Sequence, residues 1–280
     1  MATISLDISV DYLWINTSGD LEWKTRIVKD YRTYKIMPNG SKEMVAEKQL
    51  PTWSFRTNMN SGATIELLPV RHYKNPFVDG NCVIAICDYN TVYSKEVKVN
   101  SNYRKQLAEL LCGTDFSIGI KQEYVPVSGA TTFMVHDAID EVTQKCLKIK
   151  SGLEAIYMRP NKRIRIDIAA GNSTDSIDRF ILTRFIFERV FRRTFVDYDA
   201  RPGKTCVAIS SNSIDVSAVN DKFKFNTSSA GMIYTSKDDY VNVEVPGKYV
   251  GGYGHTEPAS TDIYETTLKV VRIVLSEKKL

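Results

Sequence analysis

Residues 116–124 read Phe-Ser-Ile-Gly-Ile-Lys-Gln-Glu-Tyr, and this stretch decides how the second half of the chain is interpreted. Apolar side chains recur at every second position: Phe116, Ile118 and Ile120. Since side chains alternate between the two faces of a β-strand, the residues between them lie on the opposite face: Gly119, Lys121 and Glu123. The stretch therefore predicts a strand with one buried face and one face that carries charged groups.

A second stretch, Arg163 to Ala169, repeats this pattern further along the chain. One face is made of isoleucines: Ile164, Ile166 and Ile168. The other face is charged: Arg163, Arg165 and Asp167. Because the period is again two residues, we predict a second half-buried strand with a charged face.

The segments around these two strands alternate between helical and extended patterns. A helical period predicts helices at residues 103–111, 137–149, 176–193 and 264–276, and a short strand is expected at residues 205–210. The helix over residues 176–193 is the strongest, with Ser173 or Asp175 as its cap. A broad apolar stripe is expected along it: Ile177, Phe180, Ile181, Phe185 and Phe191.

The first 99 residues are rich in strands. Short β-prone runs are found at residues 4–15, 23–28, 65–68 and 83–87. Turn signals separate them at Pro38-Asn39-Gly40 and at Asp79-Gly80-Asn81. The sequence therefore predicts a mixed α+β protein with two domains, residues 1–99 and 100–280.

Composition narrows the class of protein. Hydrophobic residues make up 43% and charged residues 25% of the chain, as in globular proteins that dissolve in water. No apolar run approaches the roughly 18 residues that a membrane-spanning helix needs, and the first residues do not resemble a signal peptide. Five cysteines without a CxxC pair favour reduced thiols over a metal site. We therefore expect a cytoplasmic protein.

The net charge of +4 is too small to indicate nucleic-acid binding by itself. Basic residues concentrate at Arg159 to Arg165 and again at Arg184 to Arg193. Isoleucines alternate with the first group as in an ordinary strand. We interpret both groups as solvated or salt-bridged surfaces, and we keep the binding of nucleic acid or another anionic partner as an alternative that is not favoured.

Several segments, in this order, resemble eukaryotic-type glutamine synthetases. They are Val10-Asp-Tyr-Leu-Trp-Ile-Asn16 with Lys24-Thr25-Arg26, Leu50-Pro-Thr-Trp-Ser-Phe55, Asn75-Pro-Phe77, Gly119-Ile-Lys-Gln-Glu-Tyr124, Arg179-Phe-Ile-Leu182 and the stretch from Gly251 to Tyr264. The resemblance implies an N-terminal β-grasp domain and a reduced α/β domain built on a curved antiparallel sheet. It also implies rings of subunits that share active sites between neighbours.

That family transfers a phosphoryl group from ATP to glutamate and then lets ammonia displace the phosphate. The resemblance implies that carboxylates should hold several divalent cations for this chemistry. This chain departs from the pattern at those positions. Lys121 replaces the first metal-binding glutamate, and only Glu123 of that strand is retained. On the next strand Arg165 stands where a glutamate is expected, beside Asp167.

Other site positions have changed as well. The family's histidine aligns with Val207, and the aspartate of the ammonium site aligns with Arg56. A further glutamate falls near Tyr157 or Met158, with Glu154 as a stand-in. The glutamate and arginines of the last loop are replaced near three positions: Gly254, Thr256 and Glu257. The resemblance therefore predicts the loss of magnesium, manganese and ATP binding.

Three functional hypotheses follow from this reading. The leading one is a catalytically inactive relative with a structural, assembly or regulatory role, which associates with itself or with homologous or larger complexes. In it, Lys121 and Arg165 form salt bridges with Glu123 and Asp167 in place of the metal cluster. The second is an ATP-dependent carboxylate–amine ligase of altered specificity, for which Glu123, Asp167, His136 and His255 are available. The third is the anionic-partner binder described above.

Overall fold

The structure is a computed structural model that describes most of the chain. The described residues are 3–16, 21–56, 64–93, 96–99, 102–125, 131–160, 163–172, 174–194, 201–211, 233–237, 240–245 and 263–277. The chain divides into two compact units, Met1–Asn102 and Tyr103–Leu280. The assignment of the first unit to a β-grasp domain and of the second to a reduced α/β domain remains a prediction.

The first unit is a sheet of seven strands: β1 Thr3–Ile15, β2 Leu21–Ile36, β3 Lys42–Glu47, β4 Trp53–Arg56, β5 Thr64–Lys74, β6 Cys82–Tyr93 and β7 Glu96–Val99. Their order is β3-β2-β1-β6-β5-β4, and β7 pairs with β6. The pairing of β1 with β6 is parallel, and the other pairs are antiparallel.

Strand β2 extends well beyond the predicted run of residues 23–28. A bulge allows it to continue, because the pairing with β1 shifts register between Leu6 and Ile8. Within the bulge Asp30 adopts a positive φ of 51°. The Asp7 carboxylate accepts a hydrogen bond from the Asp30 amide at 3.0 Å and pairs with the Lys29 ammonium group at 2.5 Å. Those charged residues interrupt the alternating pattern, so the sequence did not indicate the rest of the strand.

Aromatic residues fix β4 against β1 in the core of the first unit. The ring centroids of Trp53 and Tyr12 lie 5.3 Å apart, and those of Phe55 and Trp14 lie 5.9 Å apart. The Tyr12 hydroxyl donates to the Pro51 carbonyl at 2.8 Å. The Leu-Pro-x-Trp-x-Phe segment therefore has a packing role.

The second unit contains six strands and four helices within the described residues. The strands are β8 Ser117–Val125, β9 Leu153–Met158, β10 Ile164–Asn172, β11 Arg201–Ser210, β12 Ile233–Lys237 and β13 Tyr240–Val245. The helices are α1 Asn102–Leu111, α2 Thr132–Ile149, α3 Asp175–Thr194 and α4 Ile263–Glu277. The sheet order is β12-β13-β11-β8-β10-β9, with every pair antiparallel. This confirms the predicted mixed α+β class; the β-grasp assignment remains a prediction.

Helix α2 begins five residues before the predicted start at Asp137. The Thr131 hydroxyl accepts a hydrogen bond from the Met134 amide at 3.4 Å and caps the first turn. In this first turn Val135 extends the buried stripe of the helix, whereas Phe133 is 75% exposed and lies outside it. Lys150 caps the end of α2 in the left-handed conformation. Of the helices described, none is both long and apolar enough to cross a membrane.

Helix α3 differs from the predicted amphipathic helix because it is buried around most of its circumference. The predicted apolar residues are all buried, but so are the charged residues Asp178, Arg184 and Glu188. The Arg184 guanidinium pairs with the Glu188 carboxylate at 2.6 Å, so burial leaves neither charge uncompensated. The predicted basic surface over residues 184–193 therefore lacks Arg184.

Candidate functional site on the second sheet

The register of β8 against β10 brings four of the predicted site residues together. Glu123 lies opposite Arg165, and Lys121 lies opposite Asp167. Directly opposed residues of an antiparallel pair project to the same side of the sheet, and so do residues two apart. The four side chains therefore share one face, which we call the polar face.

Helix α3 covers the other side of the sheet. The Tyr124 ring stacks on the Phe187 ring at a centroid distance of 4.2 Å. The isoleucines of β8 and β10 that share this side are fully buried: Ile118, Ile120, Ile164, Ile166 and Ile168. Apolar packing against α3 thus decides the orientation of the sheet and leaves the charged positions on the opposite side.

Neighbouring strands add two more residues to the polar face. Cys206 of β11 lies opposite Lys121, and Tyr157 of β9 lies opposite Arg165. Cys206 is half-buried, and Tyr157 is 39% exposed. The polar face therefore extends over four adjacent strands.

Arg165 forms one of the ion pairs on this face. Its Nε donates to Asp167 Oδ1 at 2.7 Å, and both side chains are largely buried. Burial lowers the pKa of Arg165, but the hydrogen bond and the charge of Asp167 outweigh burial and raise it. The Asp167 carboxylate therefore stabilises the charged guanidinium group, and this ion pair is one that the predicted network contains.

Glu123 has partners that the sequence did not predict. Its Oε1 accepts from Arg159 Nη1 at 2.6 Å, and its Oε2 lies 3.3 Å from Arg163 Nη1. Both arginines flank the connection between β9 and β10, where the Arg159 amide donates to the Arg163 carbonyl at 2.7 Å. Lys121 has no ion pair with any described residue. The expected pairing of Glu123 with Lys121 or Arg165 is therefore replaced by pairing with the connection.

The sequence signal for these partners is the basic stretch of residues 159–165. The sequence does not show that these arginines bind Glu123, because that pairing depends on the β8–β10 register. Since Arg159 and Arg163 are occupied by a carboxylate, this stretch is a salt-bridged surface in the structure.

Other predicted site residues lie elsewhere. Val207 is fully buried and pairs in register with Ile120, so it lies on the side that α3 covers. Cys206, one residue earlier, occupies the polar face instead. Arg56 is exposed at the end of β4 in the first unit.

Further candidate residues also lie outside the polar face. Glu154 is exposed on β9, whereas Met158 lies opposite Ile164 and so shares the side that α3 covers. His136 is exposed on α2. The predicted changes near Gly254, Thr256 and Glu257, and His255 itself, lie outside the described residues.

The polar face does not fit the metal cluster that the resemblance implies. Magnesium and manganese take several oxygen ligands. Here Glu123 and Asp167 are both neutralised by arginines, and the other two positions carry cations. Within the part of the chain that the structure describes, no group of three or more His, Cys, Asp or Glu residues could hold a metal ion.

Comparison with known proteins identifies relatives of one kind. The chain is 29% identical over 233 residues to glutamine synthetase root isozyme 1 of Zea mays, covering 67% of this chain and 61% of that protein. It is 30% identical over 126 residues to glutamine synthetase 2 cytoplasmic of Drosophila melanogaster, covering 42% of this chain and 30% of that protein. The Saccharomyces cerevisiae glutamine synthetase is 29% identical over 126 residues, with the same two coverages.

These matches are partial. The chain spans 61% of the length of the maize protein, so it matches only part of that relative. No family model matches the chain.

Proposed function

Since the chain is a relative of the glutamine synthetases, we propose that it keeps a shortened form of their fold for a structural, assembly or regulatory role. In this proposal the protein does not synthesise glutamine. The observation that carries it is the charge of the polar face. Lys121 and Arg165 occupy positions where the resemblance implies metal-binding carboxylates, and arginines bind both remaining carboxylates.

Electrostatics explains why these changes oppose metal binding. Two unit charges about 4 Å apart interact by on the order of 4 kcal/mol at an effective dielectric constant of about 20. A divalent cation beside Lys121 and Arg165 would meet this repulsion, and it would also have to displace arginines from Glu123 and Asp167. A fold can persist without the chemistry of its relatives, because packing and the site are separate demands.

Calorimetric titration with manganese, together with an assay of glutamine formation from glutamate, ammonia and ATP, tests this proposal. We expect neither saturable manganese binding nor glutamine, while an active glutamine synthetase under the same conditions gives both. Stoichiometric manganese binding or measurable turnover would contradict the proposal.

A charge-reversing variant provides the converse test. In Lys121→Glu/Arg165→Glu the polar face would carry carboxylates at all four positions, and their repulsion should lower the melting temperature in the absence of metal. Manganese should then raise the melting temperature of this variant but not that of the unchanged protein. Equal responses of the two proteins would show that the cations on the polar face do not decide metal binding.

We also propose a β-grasp arrangement for the first unit and self-association or assembly with homologous subunits. The parallel pairing of β1 with β6 within an otherwise antiparallel sheet supports the first. Size-exclusion chromatography with light scattering tests the second, because a ring gives a mass several times 31.7 kDa. A monomer at micromolar concentration, alone and when mixed with an active synthetase, would contradict assembly.

A further inference from the structure

Strand β3 forms one edge of the first sheet. It pairs with β2 on one side, and no described strand pairs with its other side. All six of its residues are exposed, and two of them are large and apolar: Met44 is 53% and Val45 is 60% exposed. An edge strand presents unpaired N–H and C=O groups that can bind a further strand. The outer edge of β3 is therefore a candidate interaction surface.

A tight turn fixes β3 beside β2 in the extended conformation that such pairing needs. The Met37 amide donates to the Ser41 carbonyl, and the Gly40 amide donates to the Met37 carbonyl, each at 2.9 Å. Gly40 adopts a positive φ of 78°, which a glycine allows without strain. The Asn39 side chain accepts from the Ser41 amide at 3.0 Å and from its hydroxyl at 2.7 Å. Because the strand is preorganised, a further strand can pair with it at a low entropic cost.

A β-bulge decides which side chains of β3 share one side of the sheet. The register with β2 shifts at Val45, which is the extra residue of β3. Three residues of β3 oppose alternate residues of β2 and therefore project to the same side: Lys42, Met44 and Glu47. Without the bulge, Glu47 would project to the opposite side. The bulge thus places a cation, an apolar residue and a carboxylate in one row along the free edge.

The charged residues of β3 differ in the partners that they have within the chain. Glu47 Oε1 accepts from Arg32 Nε at 3.0 Å and from its Nη2 at 2.9 Å. The second carboxylate of the strand, Glu43, lies opposite Lys35. Exposed Lys42 makes no ion pair with any described residue. Since a carboxylate has about four acceptor sites, Glu47 can bind a second cation in addition to Arg32.

We propose that β3 pairs with β3 of a second copy of this chain, antiparallel and about a two-fold axis at Met44. Contacts across a two-fold axis are reciprocal, so Lys42 of each copy faces Glu47 of the other, and the two Met44 side chains meet at the axis. A shift of the pairing by two residues would remove both ion pairs, so charge complementarity fixes the register.

The same features favour a second copy over an unrelated strand. A bulge and an exposed lysine hinder the pairing of an edge with an arbitrary strand. A second copy carries the matching bulge and the matching carboxylate, so it avoids both obstacles. This surface lies within the first unit, and the pairing does not depend on the assembly proposed above.

Light scattering of the full chain at increasing concentration tests this pairing. Six residues of each copy bury less surface than a stable interface does, so we expect the mass measured at about 1 μM to double near 100 μM, on the order of weak complexes. Met44→Lys places two like charges at the axis and removes an apolar contact, and it should weaken association about ten-fold. Ile27→Lys is the matched control: Ile27 is 54% exposed on β2, outside the stretch that β3 covers, and its substitution should leave association unchanged.

A disulfide cross-link tests the register. Directly opposed residues have Cβ atoms about 4.5–5.5 Å apart, near the spacing of a disulfide, so Met44→Cys should form a covalent dimer on mild oxidation. Ile27→Cys should not, with Cys112→Ser in both proteins to remove the exposed native thiol. Adding Lys42→Glu to Met44→Cys should lower the yield, because glutamates would then face each other.

Three results would overturn the inference: a mass that does not change with concentration, equal association of Met44→Lys and the unchanged protein, or equal cross-linking at positions 44 and 27. A mass that does not change would leave pairing with another protein as the alternative for this edge. The mass at micromolar concentration reports on the proposed assembly, whereas the rise in mass and the cross-link report on β3. Either proposal can therefore fail without the other.

Discussion

At the scale of single residues, Asp11 connects segments of the first unit that are distant in sequence. Its side chain lies inside the first unit, where the residue is only 6% exposed. The carboxylate accepts from the Thr25 hydroxyl at 2.5 Å and from the Asn75 amide at 2.8 Å. Asn75 in turn accepts from the Phe77 amide at 2.9 Å. Three of the stretches that resemble the synthetases therefore meet in one polar network around the buried side chains of Asp11 and Asn75.

Asn75→Ala should destabilise the protein because it removes a donor from a buried carboxylate. Loss of such a hydrogen bond costs roughly 1–3 kcal/mol, which urea unfolding measured by circular dichroism can detect. Asn16→Ala is the matched control: Asn16 donates to Glu22 at the surface, so the change should cost less than about 0.5 kcal/mol. Equal effects of the two variants would show that burial of this network does not matter.

The cysteines should differ in reactivity because burial differs among them. Burial is the main cause that raises the pKa of Cys146 to about 11, opposed by hydrogen bonds with Ser151 and Thr183. Burial also raises the pKa of Cys87. With an aromatic disulfide reagent at pH 8, exposed Cys112 should react fast, whereas Cys87 and Cys146 should react only after unfolding. In Cys112→Ser the fast phase should disappear; its persistence would assign that phase to another thiol.

The raised pKa of Cys146 makes the stability of the protein depend on pH in the alkaline range. A thiol whose pKa is raised in the folded state stabilises the fold fully below the pKa of the unfolded thiol, near 9.0. That contribution is lost as the pH rises toward about 11. Between about pH 9 and pH 11, the free energy of unfolding of Cys146→Ala should therefore decrease less steeply with pH than that of the unchanged protein.

At the scale of elements, a buried ion pair connects three helices of the second unit. Asp178 of α3 is fully buried and accepts two hydrogen bonds from Arg104 of α1, at 3.0 Å and 2.7 Å. The hydroxyl of Tyr264 on α4 donates to the same carboxylate. The helices are far apart in sequence, so this carboxylate fixes their relative positions with directional bonds that apolar packing alone does not supply.

Arg104→Ala should strongly destabilise the second unit. It leaves the Asp178 charge buried without its cation, which costs about 3–5 kcal/mol, as measured by chemical denaturation. Tyr264→Phe removes one hydrogen bond and should cost about 1–2 kcal/mol. Lys105→Ala, at the next position on α1, should change stability by less than about 0.5 kcal/mol because its ion pair with Glu109 is exposed. A small effect of Arg104→Ala would mean that the carboxylate finds another partner.

At the scale of the whole molecule, the first unit has a core of its own. Its buried cluster is formed by residues between Ile8 and Tyr89: Ile8, Val10, Tyr12, Trp14, Val28, Tyr31, Leu67, Val83, Ala85, Cys87 and Tyr89. Trp53 and Phe55 pack against this cluster. All described members of this cluster belong to the first unit, and a core of its own is the property that independent folding requires.

A fragment of residues 1–102 should therefore fold without the rest of the chain. We expect a cooperative thermal transition by circular dichroism and dispersed amide signals in a proton–nitrogen NMR spectrum. Trp14→Ala in this fragment should abolish the transition, because a buried Trp→Ala change costs about 3–5 kcal/mol and small domains have little stability to lose. A fragment without a cooperative transition would show that the first unit depends on the second.

The sequence by itself determined the alternation of β8 and β10 and the charged residues that share one side of both strands, because a two-residue period is a local property of a strand. It also indicated the relationship to the synthetases, since the order of motifs survives where site residues have changed.

Only the tertiary structure decided which charges meet. The β8–β10 register and the β9–β10 connection give Glu123 to Arg159 and Arg163, and the β8–β11 register turns Val207 away from the polar face. Burial of α3 on most sides likewise depends on elements far away in sequence, so its own periodicity could not indicate the ion pairs of Asp178, Arg184 and Glu188.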